Sequence, residues 1–182
     1  MGSVMHLDEV SDMKQYAMAA EWKVSEWLNV AQPLRLQQLR GRVVFASVFH
    51  MLCPDCVAHG LPQAVSIHRR FPARELVVLG LHSAVEHRAV LGTPVLRAFL
   101  KEFQIPFPVG VDQAAQGPGL PHTMQAYGLR GTASVLVIDR QGRLRLNYSG
   151  RAADLQIGAL LGQLLSEPAP RAAPARRVAT GA

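Results

Sequence analysis

The feature that most constrains this chain is a pair of cysteines placed directly after an apolar segment. Residues 42–49 (RVVFASVF) contain no polar alternation beyond Ser47, which is typical of a central strand buried on both faces. Cys53 follows this segment, and Pro54 is a residue that favours the first position of a helix. The sequence therefore predicts that Cys53 and Cys56 lie at the N-terminus of a helix that follows a central strand.

These two residues are the only cysteines in a chain of 182 residues. Two cysteines exclude a disulfide-rich secreted scaffold and a zinc site built from four cysteines. The chain is 49% hydrophobic and 18% charged, and its length suits one domain that can bury a core without a metal or a disulfide. We therefore expect a chemical role for the pair rather than a scaffolding role.

The net charge of +6 does not by itself indicate nucleic-acid binding. The basic residues are scattered, no run of five like charges occurs, and aromatic residues make up only 6% of the chain. No apolar run approaches the roughly 18 to 20 residues that span a bilayer. We therefore expect no nucleic-acid partner and no membrane span.

The first residues carry charges, from Asp8 to Glu21, that interrupt the apolar segment of a signal peptide. A cytoplasmic location is expected if Met1 is the native start. A periplasmic location is expected if residues 1–3 replaced a removed leader.

The chain divides into three predicted parts. Residues 1–23 are an N-terminal extension, residues 24–166 a domain, and residues 167–182 a tail rich in Ala, Pro and Arg that is expected to be disordered. Within the domain, strands are predicted over 75–81, 134–138 and 143–148, an extended segment over 106–111, and helices over 54–70, 93–103, 122–127 and 154–165. Gly142 is the expected hairpin turn and Asp154 the expected N-cap of the last helix. This alternation predicts an α/β fold with a mixed sheet.

The C-x-x-C spacing places both cysteines on one helix face, close enough for a disulfide. Such a bridge closes a loop of about four residues and stabilises the fold by only about 2 kcal/mol. Redox chemistry is favoured instead, because free backbone N–H groups and the helix dipole stabilise a thiolate at Cys53. Cys53 is then the exposed nucleophile, and Cys56 resolves the mixed disulfide.

Three segments together resemble the thioredoxin-fold redoxins, most closely the TlpA-like thiol–disulfide oxidoreductases: 43–62 (VVFASVFHMLCPDCVAHGLP), 75–81 (ELVVLGL) and 127–142 (YGLRGTASVLVIDRQG). The resemblance covers about residues 25–165. It implies a central four-stranded sheet flanked by helices, an inserted βα unit and a dithiol at the first helix. It also implies protein or low-molecular-weight disulfide substrates and no organic cofactor.

Four positions depart from that family. Pro62, where we expect a helix kink, comes six instead of five residues after the second cysteine, which indicates one inserted residue near Gly60. Ser47 stands where many members carry a buried acid, and Leu52 where an aromatic residue is frequent. The family's cis-proline aligns with Ala133; because a cis bond before a non-proline residue costs about 3 kcal/mol, a trans Thr132–Ala133 bond is expected.

Two alternative functions stay open. His50, Cys53, Cys56 and His59 are spaced by three and are nominal ligands for zinc or copper, in a binding or chaperone protein. A peroxiredoxin-like thiol peroxidase is the second alternative, but that family's proline and its Thr or Ser before the reactive cysteine are replaced here by Ala46 and His50.

Three further side chains are candidates for tuning the dithiol. Asp55 lies between the cysteines in sequence and opposes thiolate formation, whereas a protonated His50 favours it. Glu86 follows the second predicted strand, so it is a candidate proton acceptor in place of the missing acid. We expect Pro54, Thr132 and Ala133 to support the site through the backbone.

Overall fold

A single mixed sheet organises the protein, whose computed structural model describes residues 16–85, 91–117 and 119–170. In chain order its strands are β1 (Val24–Leu28), β2 (Val43–Phe49), β3 (Leu76–His82), β4 (Val109–Asp112), β5 (Ser134–Ile138) and β6 (Leu144–Ser149). They lie side by side in the order β1-β4-β3-β2-β5-β6. β2 pairs in parallel with β3 and antiparallel with β5, which places it inside the sheet.

Helical segments cover both faces of this sheet. They are a 3₁₀ turn (Leu36–Leu39), a π turn (Cys56–Gly60), α1 (Leu61–Arg70), α2 (Thr93–Glu102), α3 (His122–Ala126) and α4 (Asp154–Ser166). α1, α2 and α4 pack on one face, around a buried cluster that includes Phe45 and both cysteines. α3, the 3₁₀ turn and Trp22 pack on the other face. No helix among the described residues is both long and apolar enough to cross a membrane.

The strand predicted over residues 42–49 is β2, and all seven of its residues are buried. Burial on both faces explains why its sequence shows no polar alternation. The predicted hairpin is β5 and β6, and Gly142 at its turn has φ +79°, a conformation that side chains disfavour. α2 and β4 form the expected inserted unit between β3 and α3, so the α/β fold with a mixed sheet is confirmed.

Two features differ from the prediction or were missed. β1 was not predicted because its sequence, VSEWL, is short and only partly buried at the sheet edge, where it pairs with β4. The predicted N-cap at Asp154 is wrong: Ala153 is the N-cap, and Asp154 is the first helical residue. Its carboxylate accepts a hydrogen bond from the Gln63 amide at 2.7 Å, so it links α4 to α1 instead of capping its own helix.

Parts of the predicted N-terminal extension and C-terminal tail lie outside the described residues, namely residues 1–15 and 171–182. The boundaries between these two segments and the domain therefore stay predictions. The described residues before β1 pack on the domain: the Ala19 N–H donates to the Gly142 carbonyl at 2.9 Å, and the Leu144 N–H donates to the Ala17 carbonyl at 2.9 Å. These bonds place the segment beside the hairpin turn.

Candidate active site

The cysteine pair lies where β2 passes into a helix. The Cys53 N–H donates to the His50 carbonyl at 3.1 Å and closes a tight turn after the strand. Helical structure begins at Pro54, and the Val57 N–H donates to the Cys53 carbonyl at 3.1 Å. The two sulfurs form a disulfide, with the Cα atoms of Cys53 and Cys56 5.2 Å apart. The sequence prediction of a dithiol at a helix N-terminus agrees with this geometry.

The two sulfurs have different surroundings. Cys53 retains 7% of its surface and Cys56 only 1%, so the order of exposure is the one predicted, although Cys53 is itself mostly covered. The Cys56 N–H donates to the Cys53 Sγ at 3.2 Å. An N–H in the first turn of a helix stabilises negative charge on the atom that it faces. The Cys56 N–H therefore faces the Cys53 sulfur from the first turn of the helix.

The residue inserted before Pro62 is accommodated by the π turn Cys56–Gly60. The Leu61 N–H donates to the carbonyl of Cys56, five residues earlier, so this turn holds one residue more than an α-helical turn. Pro62 has no N–H, so it interrupts the backbone hydrogen bonds immediately afterwards. The helix irregularity expected at Pro62 is thus a π turn that directly precedes it.

The Thr132–Ala133 peptide bond is cis, so the expected trans bond is wrong. Hydrogen bonds fix the backbone on both sides: the Gly150 N–H donates to the Ala133 carbonyl, and the Ser134 hydroxyl donates to the Gly131 carbonyl, both at 2.7 Å. Ala133 packs against the buried cluster that contains both cysteines.

The other predicted site residues lie in different surroundings, and one of them is outside the described residues. The His50 Nδ1 accepts the Leu52 N–H at 3.2 Å, and the Leu52 side chain is 57% exposed beside Cys53. Asp55 is exposed in the first turn of the helix. Glu86 lies outside the described residues.

Within the described ranges, no three His, Cys, Asp or Glu side chains are grouped to hold a metal ion, and the Cys53 and Cys56 sulfurs are joined to each other.

Sequence reasoning missed His82, which ends β3 in register with Phe49 of β2. Its side chain is 2% exposed, its ring packs edge-on against Phe49 at 5.5 Å, and its Nε2 has no hydrogen-bond partner among the described residues. Burial, and then the neighbouring His50, lower the pKa of His82 to about 4. No sequence pattern marks His82, because its burial follows from its register beside Phe49.

Because the pKa of the buried His82 is low, we expect the free energy of unfolding to decrease in acid. Because the folded-state pKa of His82 is about 4 and the ordinary value is 6.5, the unfolded chain binds the extra proton first. The contribution of the neutral His82 to the free energy of unfolding is fully present above pH 6.5. It decreases by about 3 kcal/mol as the pH falls to about 4. Urea unfolding measured across this pH range should show that the free energy of unfolding of His82→Phe decreases less with falling pH than that of the wild type. Equal losses in the two proteins would contradict the assignment.

A cavity of about 540 Å³ runs between α1 and α4 and continues to the start of β5. Its lining includes the π-turn residues His59 and Gly60, the residue Ala133, and Ser47 of β2. Ser47 is 3% exposed, belongs to a strand inside the sheet and lines this cavity. The position at which the family resemblance implies a buried acid is therefore a serine on the cavity wall.

Comparison with solved structures identified two similar proteins whose whole length is matched by this chain. A thioredoxin-like superfamily protein is 46% identical, with a TM-score of 0.82, and the match covers 85% of this chain and all of that one. A thiol-disulfide isomerase from Corynebacterium glutamicum is 44% identical, with a TM-score of 0.81, and the match covers 86% of this chain and all of that one.

A third structure, of a thioredoxin-like protein in its oxidised form, has 19% identity and a TM-score of 0.68 over 84% of this chain and 97% of that one. It supports the fold alone. No protein-family model and no curated protein matches the sequence.

Proposed function

The chain belongs to the thioredoxin-like superfamily and is a thiol–disulfide oxidoreductase, and on this premise we propose that Cys53 attacks protein disulfides and Cys56 resolves the product. The observation that carries the proposal is the hydrogen bond from the Cys56 N–H to the Cys53 Sγ. The same N–H is placed to stabilise a Cys53 thiolate when the disulfide is reduced. Cys53 is also the more exposed of the two sulfurs.

The reaction takes place in two exchange steps. The Cys53 thiolate attacks one sulfur of the substrate disulfide, a mixed disulfide forms, and the other substrate sulfur leaves as a thiolate. Cys56 then loses its proton and attacks the Cys53 Sγ, which releases the second substrate thiolate. The enzyme dithiol loses two electrons and becomes the disulfide, and the substrate disulfide gains them. The reverse sequence oxidises a substrate dithiol.

The surface beside Cys53 supports protein substrates. Leu52 is 57% exposed directly before the nucleophile, and an exposed apolar side chain at this place suits an apolar segment of an incompletely folded protein. Ala133 packs against the buried cluster that contains both cysteines. A low-molecular-weight disulfide has little surface to use these features, so we expect insulin to react faster than glutathione disulfide.

A trapping experiment tests the order of attack. Cys56→Ser leaves the nucleophile and removes the resolving thiol, so reduced Cys56→Ser should accumulate a mixed disulfide with insulin, detectable by mass spectrometry. Cys53→Ser is the matched control, because it also retains one thiol but keeps the one that is 1% exposed. We expect it to form at least about tenfold less mixed disulfide, since a covered thiol reacts slowly. Equal trapping by both variants would contradict the assigned roles.

A further inference from the structure

Three chain reversals form the end of the sheet that lies opposite the cysteines. They are the turn before β2, the loop between α1 and β3, and the turn between β5 and β6. The Val43 N–H donates to the Glu75 carbonyl at 2.9 Å, and the Gly41 N–H donates to the Arg140 carbonyl at 2.8 Å, so the three reversals are neighbours. β2 runs from this end toward Cys53 for seven residues, a span of about 20 Å. We call residues 40–42, 69–75 and 139–145, with Glu167, the basic end.

The basic end carries the net charge of the described part of the protein. It contains eight arginines and three acidic residues. The rest of the described residues contain six Lys or Arg and six Asp or Glu, so they are neutral overall. The basic residues are scattered along the sequence, and the fold brings these eight arginines to one end of the sheet.

The acidic residues of the basic end are all paired with arginines of the same end. Asp139 pairs with Arg143 and Arg145, Glu167 pairs with Arg145, and Glu75 lies 3.7 Å from Arg74. The other five arginines have no carboxylate partner among the described residues. They are Arg40, Arg42, Arg69, Arg70 and Arg140. Five guanidinium groups therefore keep an uncompensated positive charge.

The backbone holds several of these unpaired charges in place. Arg42 and Arg140 each donate to a backbone carbonyl, at 3.2 and 3.0 Å, which positions the guanidinium groups without neutralising them. The guanidinium of Arg40 occupies the place where a side chain at Gly142 would stand, so glycine at the hairpin turn makes room for it. Arg40 and the last two residues of α1 are exposed. The charge is therefore presented to solvent.

An exposed apolar residue lies beside this charge. Met18 forms a β-bridge with Arg143 next to the hairpin turn and is 55% exposed. Arginines bind phosphate groups of lipids and of nucleic acids alike. An apolar side chain next to them fits a lipid surface, where headgroups cover an apolar layer, and has no matching layer on a nucleic-acid backbone. The combination therefore favours a lipid surface.

We propose that the basic end binds the surface of a membrane that contains anionic lipids. Clusters of about four to eight Lys or Arg are typical of such binding, and the basic end has five unpaired arginines. Met18 enters the boundary between headgroups and acyl chains. The sequence after Pro170 adds three arginines and no acidic residue. Bound in this way, the protein holds Cys53 about 20 Å from the lipid, on the side that faces solvent.

Cosedimentation of the full chain with phospholipid vesicles tests this proposal. Vesicles of phosphatidylcholine with about one-third phosphatidylglycerol should bind at least about tenfold more tightly than pure phosphatidylcholine, because each cation near an anionic surface contributes about fivefold. Binding should weaken as the salt rises from about 0.1 M to about 1 M, since the screening length falls from about 10 Å to about 3 Å. Equal binding to both kinds of vesicle, or binding to neither, would overturn the proposal.

A pair of charge variants locates the binding surface. Arg40→Gln combined with Arg69→Gln removes two exposed, unpaired charges and should weaken binding to the anionic vesicles by about 25-fold. Arg130→Gln combined with Arg151→Gln is the matched control. It has the same net charge, but its two exposed arginines lie before β5 and after β6, at the cysteine end of the sheet. Binding of the control should remain within about threefold of the wild type, because that end is more than a screening length away.

Circular dichroism should show that both double variants are folded. Equal weakening in the two would mean that net charge, and not the basic end, governs binding, and would overturn the proposal.

A second pair of variants separates a lipid surface from other polyanions. Met18→Ser should weaken vesicle binding about threefold or more, because it removes an apolar contact with the lipid. Leu155→Ser is the matched control, since Leu155 is 85% exposed in the first turn of α4, at the cysteine end, and it should leave binding unchanged. Tighter binding of duplex DNA or of polyglutamate than of the anionic vesicles at the same salt would assign the basic end to that partner and overturn the proposal.

Discussion

Replacing Cys53 by serine is expected to reduce the rate of insulin-disulfide reduction to the uncatalysed background. A serine hydroxyl cannot form a disulfide, and Cys56 is too well covered to replace the nucleophile. A loss of about 10³-fold or more corresponds to at least about 4 kcal/mol of lost transition-state stabilisation. The measurement is the initial rate of insulin reduction with an excess of a small dithiol that recycles the enzyme.

The control for this result is a change beside the nucleophile that leaves both thiols in place. Leu52→Ala removes an exposed apolar side chain and should weaken substrate binding, so its rate should remain within about tenfold of the wild type. Circular dichroism should show that both variants are folded. A Cys53→Ser protein that retained a tenth of the wild-type rate would refute the role of Cys53 as nucleophile.

Replacing Asp139 by alanine is expected to lower the free energy of unfolding by about 3–5 kcal/mol, because the turn N–H groups and the Arg143 guanidinium lose a buried acceptor and Arg145 is left with Glu167 as its acidic partner. Asp139 is 1% exposed and holds the hairpin turn. Its Oδ1 accepts the N–H groups of Gln141 and Arg143, both at 2.9 Å, and its Oδ2 accepts from the Arg143 Nε at 2.7 Å. The guanidinium of Arg145 also reaches the Oδ2, at 3.3 Å, and its side chain is fully buried.

An exposed ion pair provides the control for this prediction. Glu26 pairs with Arg97, and both side chains are 40% or more exposed, so Glu26→Ala should cost less than about 1 kcal/mol. Urea unfolding of the two variants and the wild type measures both effects. Asp139 lies at the end of β5 away from Ala133, so folded Asp139→Ala should keep the wild-type rate of insulin reduction. Equal stability losses in the two variants would contradict the assigned burial effect.

Local sequence patterns predicted the elements that carry the cysteines. The apolar run over residues 42–49 predicted β2, and the Cys-Pro step predicted the helix start, because both depend on neighbouring residues alone. The position of Pro62, six residues after Cys56, indicated an insertion. That position did not indicate the π turn, since the hydrogen bond to the Cys56 carbonyl depends on how α1 packs against the sheet.

Long-range contacts decided the points that the sequence left open or predicted wrongly. The Thr132–Ala133 bond was expected to be trans from its intrinsic preference, whereas it is cis, and the Ala133 carbonyl accepts a hydrogen bond from the Gly150 N–H. His82 had no recognisable pattern, because its burial follows from its register beside Phe49. Short-range propensity contains neither kind of information.

The sequence by itself determined that a two-cysteine redox motif stands between a buried strand and a helix, because strand burial, helix initiation and thiol spacing are local properties. Only the tertiary structure decided which residues lie together beside the π turn. A cavity there brings Ser47, His59 and Ala133 together from three separate segments. Chain packing alone creates such a space, so no spacing in the sequence could predict it.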